Sequence, residues 1–440
     1  MTTIERLVLQ ELLARPGTTK EVAALSGISE GEVLVQLKEL NERLQSMLGY
    51  TEDPITASSA GEWKADGVAG LLRLNSRVEI EVVPKFLDPS TTTWRTDFFL
   101  LAVLVQTGHL LLHDEISAGA QERGDLATLI ARSLLNLHAE NERRPIRGYH
   151  RSHMSDFALD GDVDWETTFL PDPDGFAVSR LELTRRNPFN ATLAAAVNTL
   201  IPEVVDADTQ AQLRLLARQL SPQSTPPAAP PPLPLRHHGW QQAYDLAKLI
   251  VEGLGLNFDE NLFSGPGFVL STWTAWQSLC EEVLRRALPN HRVIPQKEWP
   301  LGKRGTENVN VKPDLSPMVG GAAPFLLDAK YKTRVGRKPS INAADLYESL
   351  AFLRGAKADR MYLLYPAVSS PDELPLGHWR RFDRIDVDHQ TIEGFEVQVQ
   401  GLSQRDGFDQ LVAGARAALL GSSVLAPSSP STPTVSGPAV

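Results

Sequence analysis

The chain of 440 residues holds a single cysteine, Cys280. One thiol excludes an intrachain disulfide and a cysteine-built zinc cage. No apolar run reaches the roughly 20 residues needed to span a bilayer, and the N-terminus lacks the basic-then-apolar pattern of a secretory signal. Positive charge is also scarce: 43 Lys and Arg against 54 Asp and Glu leave a net charge of −11. That balance excludes a general nucleic-acid coat, so any contact with DNA has to be local. Nor does the chain contain a Gly-x-x-x-x-Gly-Lys-Ser/Thr loop, which excludes nucleotide hydrolysis through a P-loop of its own. The expectation is a soluble, cytoplasmic protein with about three domains by length.

What the sequence does have is concentrated around residue 314. Val311-Lys312-Pro313-Asp314 is followed, after a Gly/Ala/Pro turn, by Phe325-Leu326-Leu327-Asp328-Ala329-Lys330-Tyr331-Lys332. The two segments read as strands of a hairpin that gathers Asp314, Asp328 and Lys330 at one edge of a sheet. Asp328 and Lys330 are two apart and share a strand face. Residues 325–327 are apolar, as in a strand buried on both faces. Two carboxylates and a lysine so placed suit a Mg²⁺-dependent phosphodiesterase: the carboxylates offer hard oxygen ligands, and the lysine steers water and stabilises charge on phosphate.

The competing reading is an ordinary exposed hairpin with charged ends. Pro-Asp occurs four times in the chain, and Glu62-Trp63-Lys64 also fits an acid-x-Lys pattern. The surroundings favour phosphate. Between Gln296 and Lys338 lie nine Lys and Arg against four Asp and Glu, a local positive excess in an acidic chain. Lys312, Lys332, Arg334, Arg337 and Lys338 are the candidate DNA contacts.

The rest of the chain reads as an α/β and α+β multidomain protein. Residues 1–48 resemble a helix-turn-helix or winged-helix segment. A helix over Ile4–Ala14 precedes two more, opened by capping boxes at Thr18-x-x-Glu21 and Ser29-x-x-Glu32. The third helix carries Glu30, Glu32 and Glu39 against Lys38, which favours an adaptor over a base-reading helix. Residues 60–220 form a mixed β/α middle domain. It opens with a hairpin over 67–86 that turns near Asn75-Ser76 and is ended by Pro84. Helices follow at 93–113 and 122–140, then a loop leading into a strand over 147–164 and a helix at 190–204. His150, His153 and Asp156 would share a face of a helix, although two solvated histidines in a loop are the commoner outcome.

Seven prolines among the thirteen residues Pro222–Pro234 mark a semi-rigid linker, 221–235, and the expected domain boundary. Beyond it, 236–420 gives helices at 240–254 and 270–287, a strand at 292–299, the motif hairpin, a helix at 342–354 and a buried strand at 361–366. That order is an α/β core with its chemistry at the rim of a central sheet. Residues 421–440, rich in Ser, Pro and Thr, are expected to be disordered.

With these elements in order, the C-terminal half resembles a PD-(D/E)XK restriction-endonuclease-like core. Residues 65–400 as a whole resemble the McrC family, the nuclease subunit of McrBC-type modification-dependent restriction systems. Val78–Phe86 looks like the family's I-x-I-x-P-K strand. Arg147-Gly148-Tyr149 with Leu159–Asp164 looks like its mid-chain segment, and Asn190 falls where the family has a helix-opening Asn. Asp345-Leu346-Tyr347-Glu348-Ser349-Leu350-Ala351-Phe352 looks like its D-L-Y-Q-x-L-A-Y helix, with Glu348 in place of the usual Gln.

The resemblance implies Asp314 and Asp328 as metal ligands and Lys330 as the catalytic lysine. It also implies Glu281, or Glu282 in a rival register, as an upstream acid that is both catalytic and metal-binding, with Mg²⁺ as cofactor. It further implies a separately encoded McrB-like AAA+ GTPase as partner, docked on residues 60–220. The substrate it implies is double-stranded DNA, expected to be modified, with the modification read by the partner. Two readings from other classes compete: a non-catalytic adaptor that regulates a motor NTPase, and a helix-turn-helix regulator using the N-terminal segment.

Overall fold

A computed structural model describes residues 5–91, 93–107, 126–157, 162–163, 173–204, 206–220, 230–251, 269–332, 340–368 and 373–420. The chain divides into two compact units, residues 1–278 with 403–405 and residues 279–402 with 406–440.

The first unit opens with a strand where the apolar pattern predicts a helix. β1 (Glu5–Gln10) buries Leu7 and Leu9 while Val8 faces out, the period of two that a strand requires. Parallel pairing with β5 (Val78–Val83) sets Leu7 against Ile80 and Leu9 against Val82. Because that partner is distant in sequence, no local pattern announces it. α1 (Thr18–Ser26) and α2 (Glu30–Leu48) follow. Ser29 and Glu32 form the expected capping box, but the one expected at Thr18 is absent. There the cap is Gly17 in the left-handed region (φ 70°), and the buried Thr18 hydroxyl donates to the Arg15 carbonyl at 2.8 Å. The three-helix reading of residues 1–48 is therefore corrected to a strand and two helices. They share a core with β2 (Ile55–Ala57) and β3 (Trp63–Ala65) through Val22, Val33, Leu40, Leu44 and Trp63.

β4 (Val68–Arg73) and β5 make the expected hairpin, with Pro84 just past its end. Asn75 fixes the turn by accepting from the Arg77 and Val78 N–H groups at 2.9 Å each. Helices α3 (Trp94–Thr107), α4 (Leu126–Asn141) and α5 (Pro188–Leu200) follow the expected order, and α6 (Ala207–Leu220) is a further helix that the sequence reading did not include. The rest of the predicted 108–113 and 122–125 helix ends lies outside the described residues. A three-stranded sheet pairs β6 (Gly148–Asp156) and β7 (Asp162–Val163) with β8 (Phe176–Thr184). His150, His153 and Asp156 sit in β6, so the helical face proposed for them does not exist. Most of the Leu159–Asp164 motif lies outside the described residues.

The proline segment is not where the compact units divide. α7 (Gln241–Val251) lies beyond it, yet buries Tyr244, Leu246, Ala247 and Ile250 within the first unit, with Tyr244 edge-on to Phe189 of α5. β9 (Val269–Ser271) completes the sheet β1-β5-β4-β9, with Val68 opposite Ser271. The division falls inside α8 (Thr272–Ala287), between Ser278 and Leu279. Residues after the spacer carry an apolar helix face and an edge strand that the first unit needs.

One buried acid joins the strand ends of that sheet. Glu11 accepts from the Gly67 N–H at 3.0 Å, the Lys85 N–H at 3.2 Å and the Thr272 hydroxyl at 2.8 Å. It thereby links the end of β1, the approach to β4, the exit of β5 and the start of α8. Burial lowers the Lys85 ammonium to about 8, against the opposing pull of Glu11 and Asp66.

The second unit is built on a six-stranded mixed sheet, order β10-β13-β14-β15-β17-β16. β10 (Arg292–Pro295), β13 (Leu315–Met318) and β14 (Leu326–Ala329) pair antiparallel. After α9 (Ala343–Ala356), β15 (Arg360–Pro366) joins β14 in parallel, as a strand–helix–strand crossover requires. β17 (Gln390–Val397) adds in parallel and β16 (Trp379–Val387) antiparallel, followed by α10 (Gly407–Leu420). Leu326, Phe352, Leu353, Met361, Leu363 and Ile392 form the core between sheet and helix. The expected order of helix, three strands, helix and strand is present. A hairpin of β11 (Trp299–Arg304) and β12 (Glu307–Val311), absent from that expectation, is inserted before β13. Among the described residues, no helix is long and apolar enough to cross a membrane.

Glu11→Ala strips three donors of their acceptor, at a cost of about 1–3 kcal/mol for each one left buried. The expected outcome is a fall of roughly 5 °C or more in the first thermal transition, followed by circular dichroism. An unchanged midpoint would show that water replaces the carboxylate without penalty.

Candidate functional site

The geometry of the site follows from one pairing. β13 and β14 meet at Leu315 opposite Leu327, and the antiparallel register then sets Asp314 directly across from Asp328. The Asp314 N–H donates to Asp328 Oδ1 at 3.3 Å, and Asp314 Oδ2 accepts from the Ala329 N–H at 2.9 Å. Gln296 closes the other side, its Nε2 donating to Asp314 Oδ1 at 2.6 Å. Asp328 is buried at the end of a strand whose Leu326 and Leu327 are fully enclosed.

Like charges this close in a buried setting resist ionising together. Burial first, and then the neighbouring Asp328 charge, push the Asp314 carboxyl up to about 7. Burial also raises the Cys280 thiol, with the charges of Asp314 and Asp328 adding to the shift.

Lys330 lies on the same strand face as Asp328 and forms an ion pair with it. Its Nζ also donates to Glu348 Oε2 of α9 at 2.6 Å and lies 3.9 Å from Asp345 Oδ1. Burial alone would lower this lysine, but Asp328 and Glu348 outweigh it and hold the ammonium above its ordinary value. Asp345, fully buried, anchors the group. It accepts from Lys332 Nζ at 2.6 Å, Asn342 Nδ2 at 2.7 Å and the Tyr365 hydroxyl at 2.9 Å. Asn342 in turn caps α9 by accepting from the Asp345 N–H at 2.8 Å.

The structure thus brings together Asp314, Asp328 and Lys330, as the sequence predicts. It does not bring in Glu281. That side chain is ion-paired with Arg285 one turn along α8, and the rival Glu282 is paired with Arg286 at 2.8 Å. Among the described residues, no three His, Cys, Asp or Glu side chains form a metal-binding group. The α8 position whose charge environment includes both aspartates is Cys280, and Glu281 lies about 100° around the helix from it. Of the candidate DNA contacts, Lys312 pairs with Glu298 at 2.7 Å and Lys332 with Asp345, while Arg334, Arg337 and Lys338 lie outside the described residues.

Sequence reasoning did not single out Gln296 or Tyr365, and it quotes Asp345 only as the first residue of the family's helix motif, with no role in the site. The Asn342-x-x-Asp345 helix start is a second signal for Asp345. The donor set fits a small hard cation. Magnesium is commonly held by one or two carboxylates with water and phosphate completing its shell, and a proton retained near neutral pH marks negative charge that Lys330 alone does not offset.

A profile of the family described as "McrBC 5-methylcytosine restriction system component" matches residues 63–366, well over half of the chain. A search among curated proteins returned no match. Among solved structures, a chain of the refined half-complex from the tetradecameric assembly of Thermococcus gammatolerans McrB AAA+ hexamers with bound McrC is similar. It is 17% identical with a TM-score of 0.68, over 94% of this chain and 100% of that one. A chain of the Thermococcus gammatolerans McrBC complex is also 17% identical, with a TM-score of 0.48 over 66% of this chain and 89% of that one.

The raised Asp314 carboxyl has a stability consequence with a definite sign. Above the ordinary carboxylate range the unfolded chain has lost this proton while the folded chain retains it, so stability falls as pH rises toward about 7. In metal-free buffer, the Tm of wild type relative to Asp314→Asn should drop between pH 5 and pH 7.5, and millimolar Mg²⁺ should restore it at the upper end. A pH-independent difference in Tm would remove the case for a strained carboxylate pair.

Proposed function

The chain belongs to the McrBC family of restriction-system components, and on that footing we propose that it is the family's nuclease subunit. In this reading it is a PD-(D/E)XK-type endonuclease that uses Mg²⁺ to cut double-stranded DNA delivered by a separately encoded AAA+ GTPase. The observation that carries the proposal is the opposition of Asp314 and Asp328 with Lys330 beside them. A non-catalytic adaptor has no need to keep two buried carboxylates face to face.

Asp314 and Asp328 would hold the metal. Bound there, Mg²⁺ supplies Lewis-acid polarisation of the scissile phosphate and a lowered pKa for water. The chain's own residues do the rest. Lys330 is held as a cation, so it serves to attract the phosphate and offset charge developing on it, not to remove a proton. Glu348 and Asp345 fix where that ammonium points. The Gln296 amide and the Ala329 N–H fix the two oxygens of Asp314. Glu348, in place of the family's Gln, keeps part of the lysine's charge engaged before DNA arrives.

The partner assignment draws on a fold neighbour in which McrB AAA+ hexamers carry bound McrC. It agrees with the absence of a P-loop from this sequence. In the first unit, β6 and β8 set Tyr149 against Leu183, with Leu181 two positions along the same face, and all three are exposed. An apolar surface of this kind on a polar hairpin suits docking to a protein partner. With so acidic a body, specificity and DNA delivery fall to that partner, and cutting should require both GTP and Mg²⁺.

Two outcomes are expected. With the partner, GTP and Mg²⁺ present, Asp328→Ala and Lys330→Ala should each slow cleavage on the order of a thousandfold while partner binding stays near wild type. Wild-type cutting by either variant would sink the site, and robust sequence-specific cutting by the purified chain alone would make it an autonomous enzyme. Separately, Tyr149→Asp combined with Leu183→Asp should weaken association with the partner at least tenfold in a pull-down titration. Unaltered association would move the docking surface elsewhere.

A further inference from the structure

The β11–β12 hairpin takes no part in the site, yet it leaves the chain at the site's edge. It is inserted between Gln296 and Asp314, which are joined by both main chain and side chain. The Gln296 N–H donates to the Asp314 carbonyl at 2.9 Å, and its amide donates to the carboxylate at 2.6 Å. Gln296 adopts φ 49°, the sharp left-handed step from which the arm departs.

The base of the arm is fixed. Trp299 and Val311, opposite each other in register, pack against the core of the second unit, and the Trp299 Nε1–H donates to Ser316 at 3.1 Å. Gly355 of α9 permits this approach, since a Cβ there would lie 2.7 Å from Val311 Cγ2. The far end is different. Every residue from Leu301 to Asn308 is exposed, and neither face of the ribbon is apolar enough to be covered by this chain.

Both ends of the arm carry a small positive excess, and at the base Lys297 lies over the Trp299 ring. At its base Glu298 is matched by Lys312 at 2.7 Å and by Asn310 at 3.0 Å. At its tip Lys303 and Arg304 precede the Gly305-Thr306 turn, and Glu307, the one acid there, stands opposite Arg304 in register. A two-stranded ribbon alone is marginally stable, so one with a rigid base and an exposed end carrying two cations against one acid suits an anionic surface as its occupant. Strands of this length place the tip roughly 15–20 Å from Asp314. That is about half a helical turn of duplex, and the major groove admits a two-stranded ribbon.

We propose that the β11–β12 hairpin is a DNA-gripping arm: Lys303 and Arg304 contact the duplex backbone about half a turn from the phosphate held at Asp314 and Asp328. The assignment rests on the nuclease reading for the position of that phosphate. The arm sets where along the duplex the cut falls and adds affinity independent of sequence.

The test uses the full chain and a fluorescein-labelled 30-base-pair duplex in EDTA, so that binding is read without cleavage. Lys303→Gln with Arg304→Gln should weaken binding on the order of tenfold to a hundredfold at 0.1 M salt and make the logarithmic salt slope shallower by about two. Tm should not change. Wild-type affinity and slope in the variant, or no duplex binding by the wild-type chain, would overturn the proposal.

A second measurement separates the arm from general electrostatics. Cys280 is buried, so Arg304→Cys presents a thiol to which an iron-EDTA radical source can be attached. Cutting of the duplex well above that of the free iron-EDTA reagent supports the arm, whereas no cutting above that background refutes it. The nuclease reading fails by a different result, retained cleavage in Asp328→Ala, which leaves the EDTA binding measurement untouched.

Discussion

Two carboxylates that would repel each other in solution are forced face to face by a strand register. Leu315 opposite Leu327 is ordinary apolar pairing between β13 and β14, but it leaves Asp314 no position except across from Asp328. The rest of the site compensates for that opposition. Backbone N–H groups of Asp314 and Ala329 each donate across the pair, Lys330 is drawn onto Asp328, and α9 brings Glu348 and Asp345 to hold the lysine. Partial compensation leaves Asp314 protonated to near neutral pH, the condition a divalent cation relieves.

The site was legible in the sequence where it depends on local periodicity. Asp328 and Lys330 share a strand face at a spacing of two, and the apolar residues before them announce a buried strand. Glu281 was not legible, because the rotation of α8 is set by which residues its surroundings bury. Trp276, Cys280, Val283 and Leu284 go inward, which puts Glu281 in reach of Arg285 along the helix. The contact between Asp345 and Tyr365 was not legible for a similar reason: their meeting at 2.9 Å joins a helix start to a neighbouring strand, and neither segment alone signals it.

The fold shows the same divide. The β4–β5 hairpin, the Ser29 capping box and the helix over 343–356 carry their turn and cap residues beside them and were read correctly. Leu7, Val8 and Leu9 fit either period, so the local pattern favours a helix where β1 forms, and its parallel partner β5 lies far along the chain. By composition the proline segment marks a boundary, yet α7 and β9 beyond it complete the first unit's core and sheet. Composition describes the stiffness of a connection. Which side of it a strand pairs with is decided by the edge that is left open.

The chain belongs to the McrBC family of restriction-system components, and the proposed cutting chemistry rests on one carboxylate pair. Anomalous diffraction from crystals of the full chain soaked in Mn²⁺ examines that assignment at its centre. The account predicts one strong peak within coordination distance of carboxylate oxygens from both Asp314 and Asp328. No peak there at saturating Mn²⁺, with Lys330 still bridging Asp328, would contradict it.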